Sequence, residues 1–402
     1  RVAADIAPRD PNVQFGYALT LQKKGDLQDA VARFRTAIEL NHESYLARLG
    51  LASALKQLGN NEEAISIAAD GLGMLNGDGS PEAYYQCGFL LRELNALDAA
   101  ERAFRAAIGH NREYALAYSH LGGVLGDQGR WIESVEVQES AVRLGLRTAD
   151  AYFGLGYALR MIGQLARAEA AYRESIAIDP LYSQAYSHLG GVLGDLGRWA
   201  ESREVQMQSV ELGENTATAH YGLGFANYKL RLWIEAEKHL RLATQLDNNH
   251  AWAFSYLGGA LVQLRRFDDA LGACLHAIQL KGDNPTFYFT LGLVYRKKRD
   301  LAGAEQAFCR ATELNPEFAL AWSYLGSVRG LLGLWEQAVE ACKAAVALNP
   351  GKAEMHFGLG RALFHAGLTS AAHEYRAALD LKPEHALARE ELERVKLLLP
   401  PI

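Results

Sequence analysis

The chain has 402 residues, 49% of them hydrophobic and 22% charged, with a formal net charge of −6. Charges of both signs are interspersed, which gives no electrostatic support for a nucleic-acid groove, and no apolar run reaches the ~18 residues that a membrane span requires. Four cysteines without a C-x-x-C pair read as small buried hydrophobes of a reducing compartment, and with no N-x-S/T acceptor the chain is expected to be cytoplasmic.

The opening stretch RVAADIAP, within residues 1–10, fits the end of a preceding repeat, and Arg1 is read as a cut inside a longer chain. From Pro11 a 34-residue period runs eleven times, to residue 385. The repeats begin at Pro11, Tyr45, Pro81, Ala115, Ala149, Ser183, Ala217, Ala251, Pro285, Ala319 and Ala353. Length alone suggests two or three globular domains. A fixed period of this size instead predicts one continuous solenoid, in which each repeat buries its apolar face only against its neighbours.

With positions in each repeat numbered 1 to 34, positions 4, 7, 8 and 11 carry a large residue, Leu, Gly or Ala, and an apolar residue. Their helical spacing makes one stripe on a first helix, and the small residue at position 8 lets two helices approach closely. Position 15 is often Gly, as at Gly25, Gly129 and Gly333, which suits a left-handed helix end. Position 17 is often aromatic, as at Trp131, Trp199 and Phe267, and starts a second helix. Asp-Pro or Asn-Pro at positions 31 and 32 stops it. Each repeat is therefore a pair of antiparallel helices.

The second repeat carries two extra residues, placed in the turn signal NGDGSP at 76–81. From about residue 115 a longer period of 68 residues appears. Tyr118 to Ser134 matches Tyr186 to Ser202 at 15 of 17 residues, whereas the intervening Tyr152 to Ala168 matches the latter at six, so the duplicated block is two repeats long. The last repeat lacks one residue near His373. After it, HALAREELERVKLLL within 386–402 reads as a helix closing the stack, with Val395, Leu398 and Leu399 on one side.

In the ninth repeat the signature positions hold Tyr288, Leu291, Gly292, Tyr295, Ala304, Phe308 and Ala311, followed by Pro316; in the tenth they hold Trp322, Leu325, Gly326, Ala338, Ala345 and Pro350. This resembles the tetratricopeptide repeat, W-x2-L-G-x2-Y, then A-x3-F, then P, on a 34-residue period. The resemblance implies an all-α, right-handed superhelical solenoid of about eleven helix-turn-helix units, with a partial leading helix and a C-terminal capping helix. It also implies that the first helices line a concave face, and that the function is a non-catalytic protein–protein interaction scaffold holding an extended peptide or protein segment there. Long arrays of this family also serve as regulatory or substrate-recruiting regions of larger enzymes, such as serine/threonine kinases or O-linked sugar transferases. The ending KPEHALAREELERVKLLLP is similar, over about twenty residues, to the ends of arrays in bacterial multidomain kinases. Stacking of array ends into a self-assembled chain is the remaining alternative.

At about 100° per residue, positions 2, 6, 9 and 13 cluster opposite the signature stripe, with 5 and 12 beside them. In one repeat type they are small or polar: Ser119, His120, Gly123, Gly126 and Asp127, then Ser187, His188, Gly191, Gly194 and Asp195. In the other they are bulky or basic: Phe153, Tyr157 and Arg160; Tyr221, Phe225, Tyr228 and Lys229; Phe289, Arg296 and Lys297. Tyr256 and Tyr324 complete the candidate peptide-binding set. Two readings stand side by side. Large residues of one repeat fill space left by glycine in the next, or aromatic and basic ridges alternate with pockets for a peptide. The Lys/Asn set with which chaperone-binding members hold a C-terminal carboxylate is absent; Ser, Phe, Gly and Tyr stand in those slots.

No catalytic or cofactor motif occurs: there is no H-E-x-x-H, G-x-S-x-G or P-loop. His120 and His188 lie two repeats apart, far beyond a ligand distance of roughly 2 Å, so they cannot share a metal ion. His220 and His356 occupy the aromatic core position 4 and are expected to be packed and hydrogen-bonded.

Overall fold

The computed structural model describes residues 9–75, 77 and 79–398. The leading stretch, Asn76, Asp78 and the tail from Leu399 lie outside the described residues, as does the side chain of Leu398. The described residues form 23 helices and no strand. They fall into two compact bodies, one ending at Gly197 and the other beginning at Arg198.

In the first body the first helices of successive repeats are α1 (Pro11–Lys24), α3 (Tyr45–Gln57), α5 (Pro81–Glu93), α7 (Ala115–Asp127) and α9 (Ala149–Met161). Each forms a hairpin with the second helix of its repeat: α2 (Leu27–Leu40), α4 (Asn61–Met74), α6 (Leu97–His110), α8 (Trp131–Arg143) and α10 (Leu165–Ile178). Helix α11 (Ser183–Asp195) packs on α10. The second body starts with α12 (Trp199–Glu211), which packs on α13 (Ala217–Lys229). Its hairpins are α13/α14 (Trp233–Leu246), α15 (Ala251–Gln263)/α16 (Phe267–Leu280), α17 (Pro285–Lys297)/α18 (Leu301–Leu314), α19 (Ala319–Leu331)/α20 (Trp335–Leu348) and α21 (Ala353–His365)/α22 (Ala371–Leu381). A final helix, α23 (Ala386–Leu398), lies on α22 and buries Ala388, Leu392 and Val395.

The turn inside each hairpin demands a left-handed residue at position 15. Where that residue is Gly, φ runs from +74° to +87°, as at Gly367 and Gly25. Where it is Asn95, Arg231, Arg265 or Arg299, φ is still +60° to +65°. The fold imposes the conformation, and the residue accepts it. The motif is hydrogen-bonded as a helix end should be: the N–H of Gly129 donates to the Gly126 carbonyl and that of Arg130 to the Leu125 carbonyl, both at 2.8 Å. Two second helices, α8 and α12, also end on a left-handed glycine, Gly145 and Gly213, but five end by a different device. Asn41, Asn111, Asp179, Asp247 and Asn315 leave the helix in extended backbone. Each accepts the N–H two residues on with its own side chain, as Asn111 does from Glu113 at 2.9 Å. The Asp-Pro and Asn-Pro signals are thus side-chain-capped turns.

The core follows from position 8. A Cβ added to Gly292 would lie 2.6 Å from the Phe308 ring, one added to Gly156 would lie 2.9 Å from Tyr172, and one at Gly360 would lie 2.8 Å from Tyr375. In these hairpins the large side chain at position 24 therefore crosses the first helix where no side chain opposes it. Phe104, Phe308 and Tyr172 are fully buried there, and burying each such ring contributes about 1.5–3 kcal/mol. Alanines at position 20, such as Ala100 and Ala304, are buried on the other side of the contact.

Two substitutions test this frame. Gly292→Ala pushes a methyl into a rigid ring and should destabilise by about 1–3 kcal/mol. Arg265→Gly relieves the left-handed strain of an exposed residue and should stabilise by about 1 kcal/mol. Urea unfolding followed by helical circular dichroism measures both; equal midpoints for the two variants would contradict the account.

Candidate functional site

The candidate residues sit on the first helices, outside the signature stripe, and the structure shows how adjacent repeats meet there. Two kinds of step alternate. In a filled step, a repeat with a ring at position 24 precedes one with a ring at position 6. Phe104 lies 5.8 Å from His120, Tyr172 5.8 Å from His188, and Phe308 5.5 Å from Tyr324. The ring at position 5 meets the same residue at its edge: Tyr85 to His120 at 5.3 Å, Phe153 to His188 at 5.0 Å, Phe289 to Tyr324 at 5.3 Å. Position 12 then reaches across. A Cβ on Gly123 would lie 2.7 Å from the Arg92 guanidinium, one on Gly191 2.9 Å from that of Arg160, and one on Gly259 2.9 Å from the Tyr228 hydroxyl. Glycine at position 9 is the seat of the neighbour's long side chain.

The acids of the candidate set hold these arms in place. Arg92 pairs with Asp127 at 3.2 Å and Arg160 with Asp195 at 2.9 Å. The candidates therefore gather into separate clusters along the chain. His120 and Asp127 belong with Arg92. Phe153, Tyr157, Arg160, His188 and Asp195 form a second group. In a third, Phe225 packs on Tyr256 at 4.5 Å, Tyr228 on Tyr256 at 5.3 Å, Tyr221 stacks on Phe225, and Lys229 lies over Trp199 and Phe225. In the fourth, Phe289 and Arg296 flank Tyr324, the guanidinium 4.7 Å from the ring centre. Much of the candidate set is thus engaged between repeats; Tyr157 remains 37% exposed.

In an open step the order is reversed. Position 24 holds Gln138 or Cys342 instead of a ring, and position 6 of the following repeat is Gly154 or Gly358. A side chain without a ring meets glycine, and a cavity opens: about 370 Å³ between α7 and α9 over α8, and about 220 Å³ between α19 and α21 over α20. Both are walled by the tryptophan at position 17 (Trp131, Trp335) and the phenylalanine at position 5 (Phe153, Phe357), with an arginine from the repeat before (Arg92, Arg296). Gln138 is 4% exposed, lines the first cavity, and its Oε1 has no hydrogen-bond partner. Sequence reading passed over Gln138, Trp131 and Arg361. The signal was present at position 24, where Gln138, Gln206, Cys274 and Cys342 stand in place of the Phe, Tyr or Leu of the alternate repeats.

The polar groups behave as packing elements. Burial under three rings pushes the His120 imidazole down to about 4; Arg92 acts in the same direction and Asp150 against it. Its buried Nδ1 has no partner. His220 is buried and bridges His239 (3.1 Å) and Asn215 (2.9 Å). His356 bonds Glu374 at 2.7 Å and the Pro350 carbonyl at 2.9 Å. Both are satisfied core histidines. Burial also raises the Cys274 thiol to about 12 and Cys342 to about 11, so neither is a reactive thiolate. Among the described residues no three His, Cys, Asp or Glu side chains gather as a metal site would require, and no helix is long and apolar enough to cross a membrane.

Sequence models of the tetratricopeptide repeat family match residues 113–180 and, in a second form, 16–78, 289–352 and 332–386, together more than half of the chain. The chain belongs to the tetratricopeptide repeat family. The first of these matches spans one 68-residue stretch of the array. No curated protein matches it significantly. Among solved structures, a chain of the APC/C hetero-tetramer Cut9-Hcn1 superposes with a TM-score of 0.55 at 16% identity, covering 98% of this chain and 91% of that one. YrrB, a TPR protein with an unusual peptide-binding site, gives a TM-score of 0.41 at 22% identity over 46% of this array and 96% of its own chain. Yeast Tom70 gives 0.44 at 14% identity, over 98% and 96%. The Cut9-Hcn1 likeness is one of fold.

The buried His120 imidazole predicts a pH-dependent joint. Its folded-state affinity for protons is depressed to about 4 from 6.5. Its contribution is therefore complete above about pH 6.5 and is lost as pH falls toward 4. His120→Tyr, which copies the residue at the same position in Tyr256 and Tyr324, should flatten the fall in thermal midpoint between pH 7 and about 4.5. Parallel pH profiles for variant and parent would rule this out.

Proposed function

We propose that the array is a non-catalytic scaffold that holds an extended segment of a partner protein along the face made by its first helices. Membership of the tetratricopeptide repeat family supports the coarser reading, a protein-interaction scaffold. One observation carries the finer one: the two cavities have corresponding linings, every residue of one lying 204 residues, three 68-residue blocks, from its counterpart in the other. Ser119, Trp131 and Phe153 answer to Ser323, Trp335 and Phe357. A void kept at the same step of the duplicated block is what a segment seating successive side chains would use. Aromatic walls supply contact area, and Ser and Arg supply direction.

Capture from a lysate of the source organism, read by mass spectrometry, tests this. Ser119→Trp with Ser323→Trp fills both cavities. Ile132→Ser with Ile234→Ser alters apolar residues of the second helices that are 67% and 70% exposed. The expected result is a partner held by the parent and by the second-helix variant but lost by the cavity variant. The opposite pattern would move binding to the second helices and sink the proposal.

A further inference from the structure

The two cavities share their positions but not their charge. Beside the first, Arg92 is held by Asp127, and two repeats later Arg160 is held by Asp195. Each pair is 35 residues apart. Arg296 occupies the same position beside the second cavity, but the residue 35 further on is Leu331, 57% exposed. The acid is missing, and the Arg296 guanidinium rests on Tyr324. A second guanidinium, Arg361, stands where the first cavity has Tyr157. Neither arginine has a carboxylate partner among the described residues. Ser327 replaces Gly123 and adds a hydroxyl beside that of Ser323. The one carboxylate at the rim, Glu354, is engaged by Lys382 at 3.5 Å.

A partly enclosed cavity with two uncompensated guanidinium forks and two hydroxyls is short of one negative charge. Guanidinium planes suit carboxylates, which they bind through paired hydrogen bonds. The walls, Trp335 and Phe357, offer apolar contact to the methylenes that carry such a group. We propose that this cavity binds the carboxylate of a glutamate or aspartate side chain in the extended partner. The assignment rests on the reading of the first-helix face as a peptide site, and it adds the chemistry that face selects.

The test uses the whole chain labelled with 15N-arginine, in which the Arg296 and Arg361 Nε–Hε resonances are assigned by Arg296→Gln and Arg361→Gln. N-acetylglutamate amide should shift both resonances saturably, and N-acetylglutamine amide should shift neither. Leu331→Asp restores the acid found beside Arg92 and Arg160. It should weaken glutamate binding about tenfold or more, the loss expected when a charge-assisted pair is pre-empted. Being at an exposed position, it should leave helicity and thermal midpoint unchanged. Two unmoved arginines, or an affinity indifferent to Leu331→Asp, would overturn the assignment. So would an N-acetylphosphoserine amide that binds about tenfold tighter than glutamate, which would assign the pocket to phosphate. Partner capture lost on filling the cavities, with arginines silent to glutamate, removes only the charge assignment. Capture unaffected by filling them, with arginines that respond, removes the peptide-site reading.

Discussion

The close crossing of the two helices in each hairpin is the contact on which the rest of the structure depends. It exists because position 8 carries no side chain large enough to oppose the residue at position 24. The Gly292–Phe308 and Gly156–Tyr172 pairs are the clearest cases. Once the crossing is fixed, the apolar stripe of the first helix faces inward. The opposite side of the same helix must then meet the neighbouring repeat or solvent. The left-handed turn at position 15 serves the same end: it lets the second helix return close enough for the crossing, and Arg231, Arg265 and Arg299 accept an unfavourable conformation to do so.

From that crossing the 68-residue alternation acquires a physical meaning. Position 24 presents one end to its own glycine and the other to position 6 of the next repeat. The rings Phe104, Tyr172 and Phe308 there pack on a ring or imidazole of the next repeat, His120, His188 and Tyr324. Where Gln138 or Cys342 stands there, Gly154 or Gly358 follows and space remains. Filled steps pack adjacent repeats ring on ring, with Arg92 and Arg160 paired to acids across the joint. Open steps leave cavities with defined walls. Ring-on-ring packing and open cavities are therefore two outcomes of one pattern. A solenoid can keep such voids because each repeat answers only to its neighbours, so a gap at one joint leaves the others unaltered.

Much of this was legible from the chain alone, and the reason differs by level. The helices, their turns and the close approach at position 8 are local consequences of a 34-residue pattern repeated many times. The all-α fold was accordingly readable from Gly, Trp and Pro at fixed spacing. His220 and His356 were recognisable as core residues because they occupy an aromatic position. The candidate face was legible only as a list. Phe153, Arg160, His188 and Asp195 lie on first helices, but their periodicity says nothing about which of them face one another. Gln138 and Arg361 escaped notice because each looks unremarkable within its own repeat. Their importance appears only when position 24 of one repeat is set against position 6 of the next.

The sequence by itself determined the repeat, the helical hairpin and the family, since each rests on contacts within about 34 residues. Tertiary structure alone decided which side chains are latched and which are left over. Arg160 and Arg296 are the same residue at the same position, yet one meets Asp195 and the other has Leu331 in that place. That difference depends on a residue 35 positions away on another helix, and only packing brings the two together.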